Sequence, residues 1–307
     1  MRKSNTNAYI ALAIVSIFWG TTYLASSVGV RHMHGVMLAG IRQATAGFLI
    51  TGFFLLKGYK LPGKIVLSKL FVIGTLMLCG GNGLLTWALR YIPSGLGAII
   101  AATIPIWITI TSYFLVQRTR LSLQLIIGMI LGFGGVAGIF YNYLSSLMNP
   151  DFQFGIIIGF ISCIFWALGS VLTAKWSLGV NYLYGAGFQM FFSGVIMLLV
   201  ATLFLGQHVE IQSFTTELWE SLLYLVLVGS VFSYSAYVFA LNNLPPAQVS
   251  IYAYINPVVA VLLGWLILHE SLTWLTGICS LVTIGGVYLV NSAVNKSKKS
   301  LAATAEL

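Results

Sequence analysis

The chain of 307 residues is 59% hydrophobic and only 7% charged, with a mean hydropathy of +0.95. An ordinary soluble domain carries about 25% charged residues, so this composition excludes a soluble enzyme, a nucleic-acid binder and a disordered chain. The net charge of +9 is therefore read against a bilayer, and the expectation is an integral membrane protein.

A bilayer core of about 30 Å takes about 20 apolar residues per helix. Taking Pro, Gly, Asn and charge clusters as punctuation, the sequence predicts helices over 8–29, 35–56, 69–90, 95–117, 122–143, 153–175, 181–205, 218–241, 246–268 and 272–292. The uncharged run from Ser221 to His269 is too long for one span, and Asn242-Asn243-Leu244-Pro245-Pro246 divides it. Linkers are short throughout. Arg2 and Lys3 ahead of the first span, with Ala25-Ser26-Ser27 near its end, have some look of a signal peptide. The apolar stretch is longer than a usual signal core, which favours a retained span. Cys79, Cys163 and Cys279 all lie inside apolar runs with no CxxC or His partner, so neither a disulfide framework nor a metal site is expected.

Basic residues in short loops set topology. With the first residues in the cytoplasm and ten alternating spans, the inner side receives Arg2, Lys3, Lys57, Lys60, Lys64, Lys69, Arg118, Arg120, Lys175, Lys296, Lys298 and Lys299. The outer side receives Arg31 and Arg90, together with Asp151, Glu210, Glu217, Glu220 and Glu270. Both termini are expected in the cytoplasm, which accounts for the basic excess without nucleic acid.

The chain also repeats itself. Ile17-Phe18-Trp19 matches Ile164-Phe165-Trp166, Ala39-Gly40 matches Ala186-Gly187 and Gly47 matches Gly194. Ala88 to Pro93 aligns with Ala240 to Pro245, Pro105 with Pro257, and Gly134-Gly135-Val136 with Gly285-Gly286-Val287. Five spans per copy is an odd number, so the copies enter the membrane from opposite sides. Inverted repeats of this kind are a mark of transporters, whose site lies between the repeats near the midplane. The expected fold is all-α, ten transmembrane helices in two inverted-topology five-helix repeats, over 8–143 and 153–292, with a cytoplasmic tail over 293–307.

The order of motifs resembles the ten-span EamA branch of the drug/metabolite transporter superfamily, over nearly the whole chain. It rests on Phe18-Trp19-Gly20-Thr21-Thr22-Tyr23, Arg42, Gly81-Asn82-Gly83, Pro93-Ser94-Gly95 through Ala101-Ala102-Thr103-Ile104-Pro105, Ser250 to Ala260, and His269-Glu270-Ser271-Leu272-Thr273. The resemblance implies a central cavity lined by spans 1, 3, 4, 6, 8 and 9, and export of small metabolites, amino acids or drug-like compounds. One departure stands out: the first repeat carries Gln117-Arg118-Thr119-Arg120 where the second has His269-Glu270.

Polar groups inside a membrane are costly, so each is a candidate. Arg42 could draw in a substrate carboxylate, as guanidinium binds carboxylates in bidentate fashion, or could fix its span by pairing with carbonyls. Its repeat counterpart is the uncharged Gln189. Trp19 and Trp166 lie too deep for an interfacial belt and could stack on a solute or pack helices. Thr22 belongs to the same stretch of span 1. Asn82, Thr86 and Trp87 form a possible polar-aromatic wall on span 3, as do Ser233, Tyr234 and Tyr237 on span 8, with Tyr252, Tyr254 and Asn256 on span 9; interhelical hydrogen bonding is the plainer role for any one of them. Pro105 and Pro257 each remove a backbone N–H and are candidate hinges or static kinks. Gly128, Gly132 and Gly135, echoed by Gly285-Gly286, make a small-residue face for packing inside the bundle or in a homodimer.

No Asp or Glu lies at mid-depth in any span, which leaves Glu270, with His269, as a candidate gate at the outer mouth. There is no GxxxxGK[ST], HExxH or GxSxG sequence, so ATP hydrolysis, a metalloprotease centre and a serine hydrolase elbow are not expected. The expectation is a carrier of small organic solutes in the inner membrane working by alternating access, without cofactor, as monomer or homodimer. The rival is an intramembrane enzyme acting on lipid, for which His32 and His34 are the available material.

Overall fold

The computed structural model describes residues 6–116, 122–209, 214–268 and 273–305, and among them it is entirely helical. In chain order the main helices are α1 (Thr6–His32), α2 (Gly35–Leu56), α3 (Lys64–Ala88), α4 (Gly95–Leu115), α5 (Leu123–Ile139), α6 (Gln153–Trp176), α7 (Tyr182–Leu203), α8 (Thr216–Asn243), α9 (Tyr252–Leu268) and α10 (Trp274–Ala305). Eight of them, α1 to α4, α6 to α8 and α10, are long and apolar enough to cross a membrane; α5 is a shorter apolar helix. A chain with so few charges cannot satisfy its backbone with water in lipid, and a helix satisfies every peptide group within itself. Large apolar side chains such as Phe48, Phe114, Ile130 and Leu281 stand exposed on the outside of the bundle, where acyl chains take the place of water. This is a multi-pass membrane protein.

Helix ends carry recognisable caps. Asn181 Oδ1 accepts from the backbone N–H of Leu183 and Tyr184 at the start of α7, and Ser122 and Thr215 hydroxyls do the same at α5 and α8. Each such cap satisfies donors that the first helical turn leaves without partners. Four boundaries differ from the sequence expectation by four residues or more: α3 begins at Lys64 and not 69, α9 begins at Tyr252 and not 246, and two helices end elsewhere. α5 stops at Ile139 and short 3₁₀ turns fill 141–152. α10 continues to Ala305 through residues expected as a tail, because no Gly or Pro occurs after Val287 to end it.

Two helix pairs form the frame: α2 crosses α7, and α5 crosses α10. The α2–α7 crossing depends on missing side chains. A Cβ on Gly47 would strike the Phe191 backbone, and one on Gly194 would strike Ala44. Gly128, Gly132 and Gly135 of α5 meet Val290, Gly286, Tyr254 and Thr283, so this small-residue face packs within the chain. Gly285 meets nothing and takes no part.

Four helices depart from a continuous α-helix. α4 breaks at Ala102–Thr103, just ahead of Pro105. A short helix, Pro246–Val249, precedes α9 and is separated from it by a turn at 250–251, while Pro257 sits inside α9 itself. α3 and α8 widen into π-helix over Thr75–Gly83 and Leu225–Tyr234. Such segments are rare and concentrate at functional sites; no pattern in the sequence anticipated them.

Candidate functional site

The two π segments face each other across the middle of the bundle and flank a narrow chamber of ≈ 70 Å³. Trp19, Thr22 and Ser26 of α1, Arg42 and Gln43 of α2, Asn82 and Thr86 of α3, Ser162 and Trp166 of α6, Gly229 and Tyr234 of α8, and Tyr252 and Asn256 of α9 line it. A turn of helix separates Trp19, Thr22 and Ser26, so one face of α1 supplies all three. Across Leu89 the chamber adjoins a wider cavity of ≈ 640 Å³ at the bundle end that carries Arg31 and Arg90.

Aromatic rings close the far side. Trp19 and Trp166 meet edge to face, with centroids 5.3 Å apart at 74°, and Tyr237 and Tyr252 complete the cluster around Trp19. Both indole N–H groups are used: Trp19 Nε1 donates to the Gly229 carbonyl at 3.0 Å, and Trp166 Nε1 donates to Tyr237 Oη at 3.1 Å. A solute would therefore meet ring faces and edges, not free N–H donors. Asn256, with its amide oriented to satisfy its neighbours, donates to the Ser16 and Tyr252 carbonyls and ties α9 to α1.

Arg42 is the one charged residue in the wall. It is 5% exposed and its Nε donates to Ser230 Oγ at 2.7 Å. Ser230 in turn donates to Gln43 Oε1 at 3.3 Å, and Gln43 Nε2 donates to Asn82 Oδ1 at 3.3 Å. Among the described residues no carboxylate pairs with the guanidinium; the sole ion pair there is His32 with Glu217, 3.1 Å apart at the bundle end. Space for Arg42 comes from Gly229, where a Cβ would lie 2.7 Å from Nη2. A buried guanidinium without an acid is costly, by several kcal/mol in general, and its remaining N–H groups border the chamber.

Trp87, Gln189, Tyr237 and Tyr254 do not line the chamber. Trp87 packs between His34 and Phe154, with its Nε1 buried and without a partner. Tyr237 supports Trp166 from behind and bonds Ser170 at 2.8 Å. Tyr254 points to α5, packing over Gly132 and donating to the Met129 carbonyl. Gln189 lies behind Tyr234, whose hydroxyl donates to its Oε1 at 2.7 Å. Pro105 and Pro257 stand outside the wall, two and six residues after the breaks at 102–103 and 250–251. Glu270 and His269 lie outside the described residues. Gln43 and Ser230 join the site without having been singled out; the signal for Gln43 was a second costly polar group beside Arg42. At the wide mouth, His34 Nδ1 caps α2 by accepting from Val36 N–H at 3.3 Å. Partial burial, and secondarily the positive charge of Arg90, hold its pKa below the usual 6.5.

The sequence profile of the EamA-like transporter family matches residues 6–141 and 153–292. YedA of Escherichia coli K12, an uncharacterised inner membrane transporter, is 36% identical over 91% of this chain and 89% of its own. YoaV of Bacillus subtilis, an uncharacterised transporter, is 22% identical over 94% and 98%. Protein PecM of Dickeya dadantii is 28% identical over 83% and 82%. A crystal structure that is 19% identical superposes with a TM-score of 0.77 over 95% of this chain and 99% of that one, a likeness of fold.

Proposed function

This chain belongs to the EamA-like transporter family, and from that premise we propose that it is a secondary transporter in the inner membrane, moving small organic solutes that carry a carboxylate by alternating access. The observation that carries this reading is Arg42: a buried guanidinium with a hydroxyl partner, no acid partner among the described residues, and a place in the wall of a chamber between the two halves of the chain. Such a group is half of an ion pair, and a bound carboxylate supplies the other half in bidentate fashion. The aromatic rings of Trp19, Trp166 and Tyr252 offer apolar surface to the rest of the solute. At ≈ 70 Å³ the chamber is far below the roughly 300–1,000 Å³ of sites for drug-sized ligands, which favours compact solutes such as amino acids and short organic acids.

The reading includes ten spans in two inverted repeats, with both termini cytoplasmic. In its support, the halves meet through equivalent helices, α2 with α7 and α5 with α10. The π segments at 75–83 and 225–234 occupy corresponding places, and Trp19 touches its counterpart Trp166. The basic ends of the helices gather at one side, where Lys175 reaches the Leu115 carbonyl and Lys296 reaches Gln124. Solute leaves past Leu89 into the cavity between Arg31 and Arg90, which makes export the natural direction. The breaks near Pro105 and Pro257 act as hinges when the halves exchange conformations. Restoring a helical hydrogen bond with Pro257→Ala should then slow turnover several-fold at equal protein level; an unchanged rate would make the proline a static kink. Among the described residues no acid or histidine lines the chamber, which lends a lipid enzyme no support.

Uptake into proteoliposomes, screened over amino acids and short carboxylates, tests the reading. Arg42→Gln should reduce uptake of the preferred carboxylate at least 100-fold, and Arg42→Lys less. Equal uptake by wild type and Arg42→Gln would overturn it.

A further inference from the structure

A second cavity, of ≈ 320 Å³, lies at the opposite end of the same helices, lined by Thr173, Asn181, Gly185, Gln189, Val238 and Asn242 among others. Along α6, Thr173 is 11 residues beyond Ser162, so this cavity sits about 16 Å past the chamber, toward the end that the basic residues assign to the cytoplasm. Gln189 is 2% exposed. Its Oε1 is taken by the Tyr234 hydroxyl, its Nε2 has no hydrogen-bond partner among the described residues, and the residue lines the cavity. The Tyr234 ring faces the chamber on its other side. The Tyr234 ring, its hydrogen bond to Gln189 and the buried Met77, whose Sδ meets both Tyr234 Oη and Thr173 Oγ1, lie between the two spaces.

The position of Gln189 is not arbitrary. A shift of 147 residues, the one that matches Trp19 with Trp166, places it on Arg42. Both are buried on helices that cross each other, α2 and α7, and both bond a hydroxyl of α8 at 2.7 Å, Ser230 for Arg42 and Tyr234 for Gln189. Each keeps N–H donors without a partner among the described residues, and each residue lines a cavity of its own. A shift of 152 places Tyr234 on Asn82 of α3, which bonds Gln43, the neighbour of Arg42.

We propose that the second cavity is the inner binding site for the transported solute, that Gln189 Nε2 receives a carboxylate or carbonyl oxygen there, and that Tyr234 is the wall the solute must pass to reach Arg42. The inner site is uncharged, so it binds a carboxylate more weakly than the chamber and hands it on toward the cation. The inference rests on the transport reading for its direction, but the cavity and its wall can be tested without any transport.

The test uses the full-length protein with Cys79 and Cys279 replaced by Ala, leaving the buried Cys163, and single cysteines at Asn242→Cys in the cavity or Ser26→Cys in the chamber. An impermeant anionic methanethiosulfonate is applied from the inner face of oriented vesicles. Asn242→Cys should react, and acetate should slow that reaction at least three-fold. The protection should vanish with Gln189→Leu and survive Arg42→Gln. Ser26→Cys should be shielded from the inner face, and Tyr234→Phe should raise its reaction rate at least ten-fold, as should Gln189→Leu. Acetate protection that persists in Gln189→Leu, or no protection in the parent, would overturn the inner site. An unchanged Ser26→Cys rate in both Tyr234→Phe and Gln189→Leu would overturn the wall. Neither result depends on whether Arg42→Gln abolishes uptake, so failure here is distinguishable from failure of the transport reading.

Discussion

Arg42 and Gln189 occupy matching places in the two halves of the chain and share the same surroundings, yet one is a cation and the other is neutral. Both are 5% exposed or less, both sit at the α2–α7 crossing, and both rest on an α8 hydroxyl. Had the position served only to hold helices together, the amide of Gln189 shows that a neutral side chain does it. Arg42 performs the same tethering at a much higher desolvation cost, so the charge itself requires a reason beyond packing. The chamber beside it provides one and the cavity beside Gln189 does not need it.

The comparison can be broken most sharply at the space that admits the guanidinium. In Gly229→Ala a methyl group would lie 2.7 Å from Arg42 Nη2 and 3.0 Å from Thr22 Cγ2, so the guanidinium must swing away from its place. The half-saturation concentration for the carboxylate should rise about ten-fold while protein level is kept, and a variant with Ala at the equally close-packed Gly132, away from the chamber, would not show the same selective loss of anion binding. Unaltered kinetics in Gly229→Ala would mean that the exact placement of the guanidinium is immaterial.

A smaller effect concerns the mouth. His34 accepts a hydrogen bond with Nδ1 and must be neutral there to do so. Its pKa in the folded state is lowered below 6.5, so between that depressed value and 6.5 the unfolded chain takes up a proton that the folded cap refuses. Stability from the cap is full above pH 6.5 and declines as pH falls through that window. Hydrogen exchange at the Val36 amide should quicken modestly on going from pH 7.5 to 5.5, beyond the intrinsic change, and His34→Asn should remove that dependence. A pH-independent opening rate in the wild type would contradict the assignment.

Much of this was legible in the residues because hydropathy is a direct record of what each segment touches. The approximate positions of the helices, the break at Asn242 to Pro246 and the cost of Arg42 follow from the price of polar groups in lipid. Trp19, Thr22, Asn82, Thr86, Trp166, Tyr234, Tyr252 and Asn256 line the chamber together with Arg42. Tyr254 does not, and helix geometry explains it: residues two apart point about 200° from each other, so Tyr252 and Tyr254 cannot share a cavity. Gln189 lies behind the wall because it belongs to the other half's crossing helix. The π segments left no mark in the sequence, since an i→i+5 turn uses the same apolar and small residues as an α turn. Gly229 reads as one more membrane glycine until the guanidinium beside it is seen.

The most direct test of the claim that Arg42 holds a carboxylate is a melting experiment on purified protein, with the carboxylate that gives the highest uptake. At a concentration of 100 Kd a ligand bound only by the folded state stabilises it by about 2.7 kcal/mol. Arg42→Gln, relieved of a buried charge, should melt at or above the wild type without ligand, and should gain nothing when the ligand is added. A variant that melts well below the wild type yet keeps the full ligand-induced shift would show that Arg42 is a structural tether and that the carboxylate binds elsewhere.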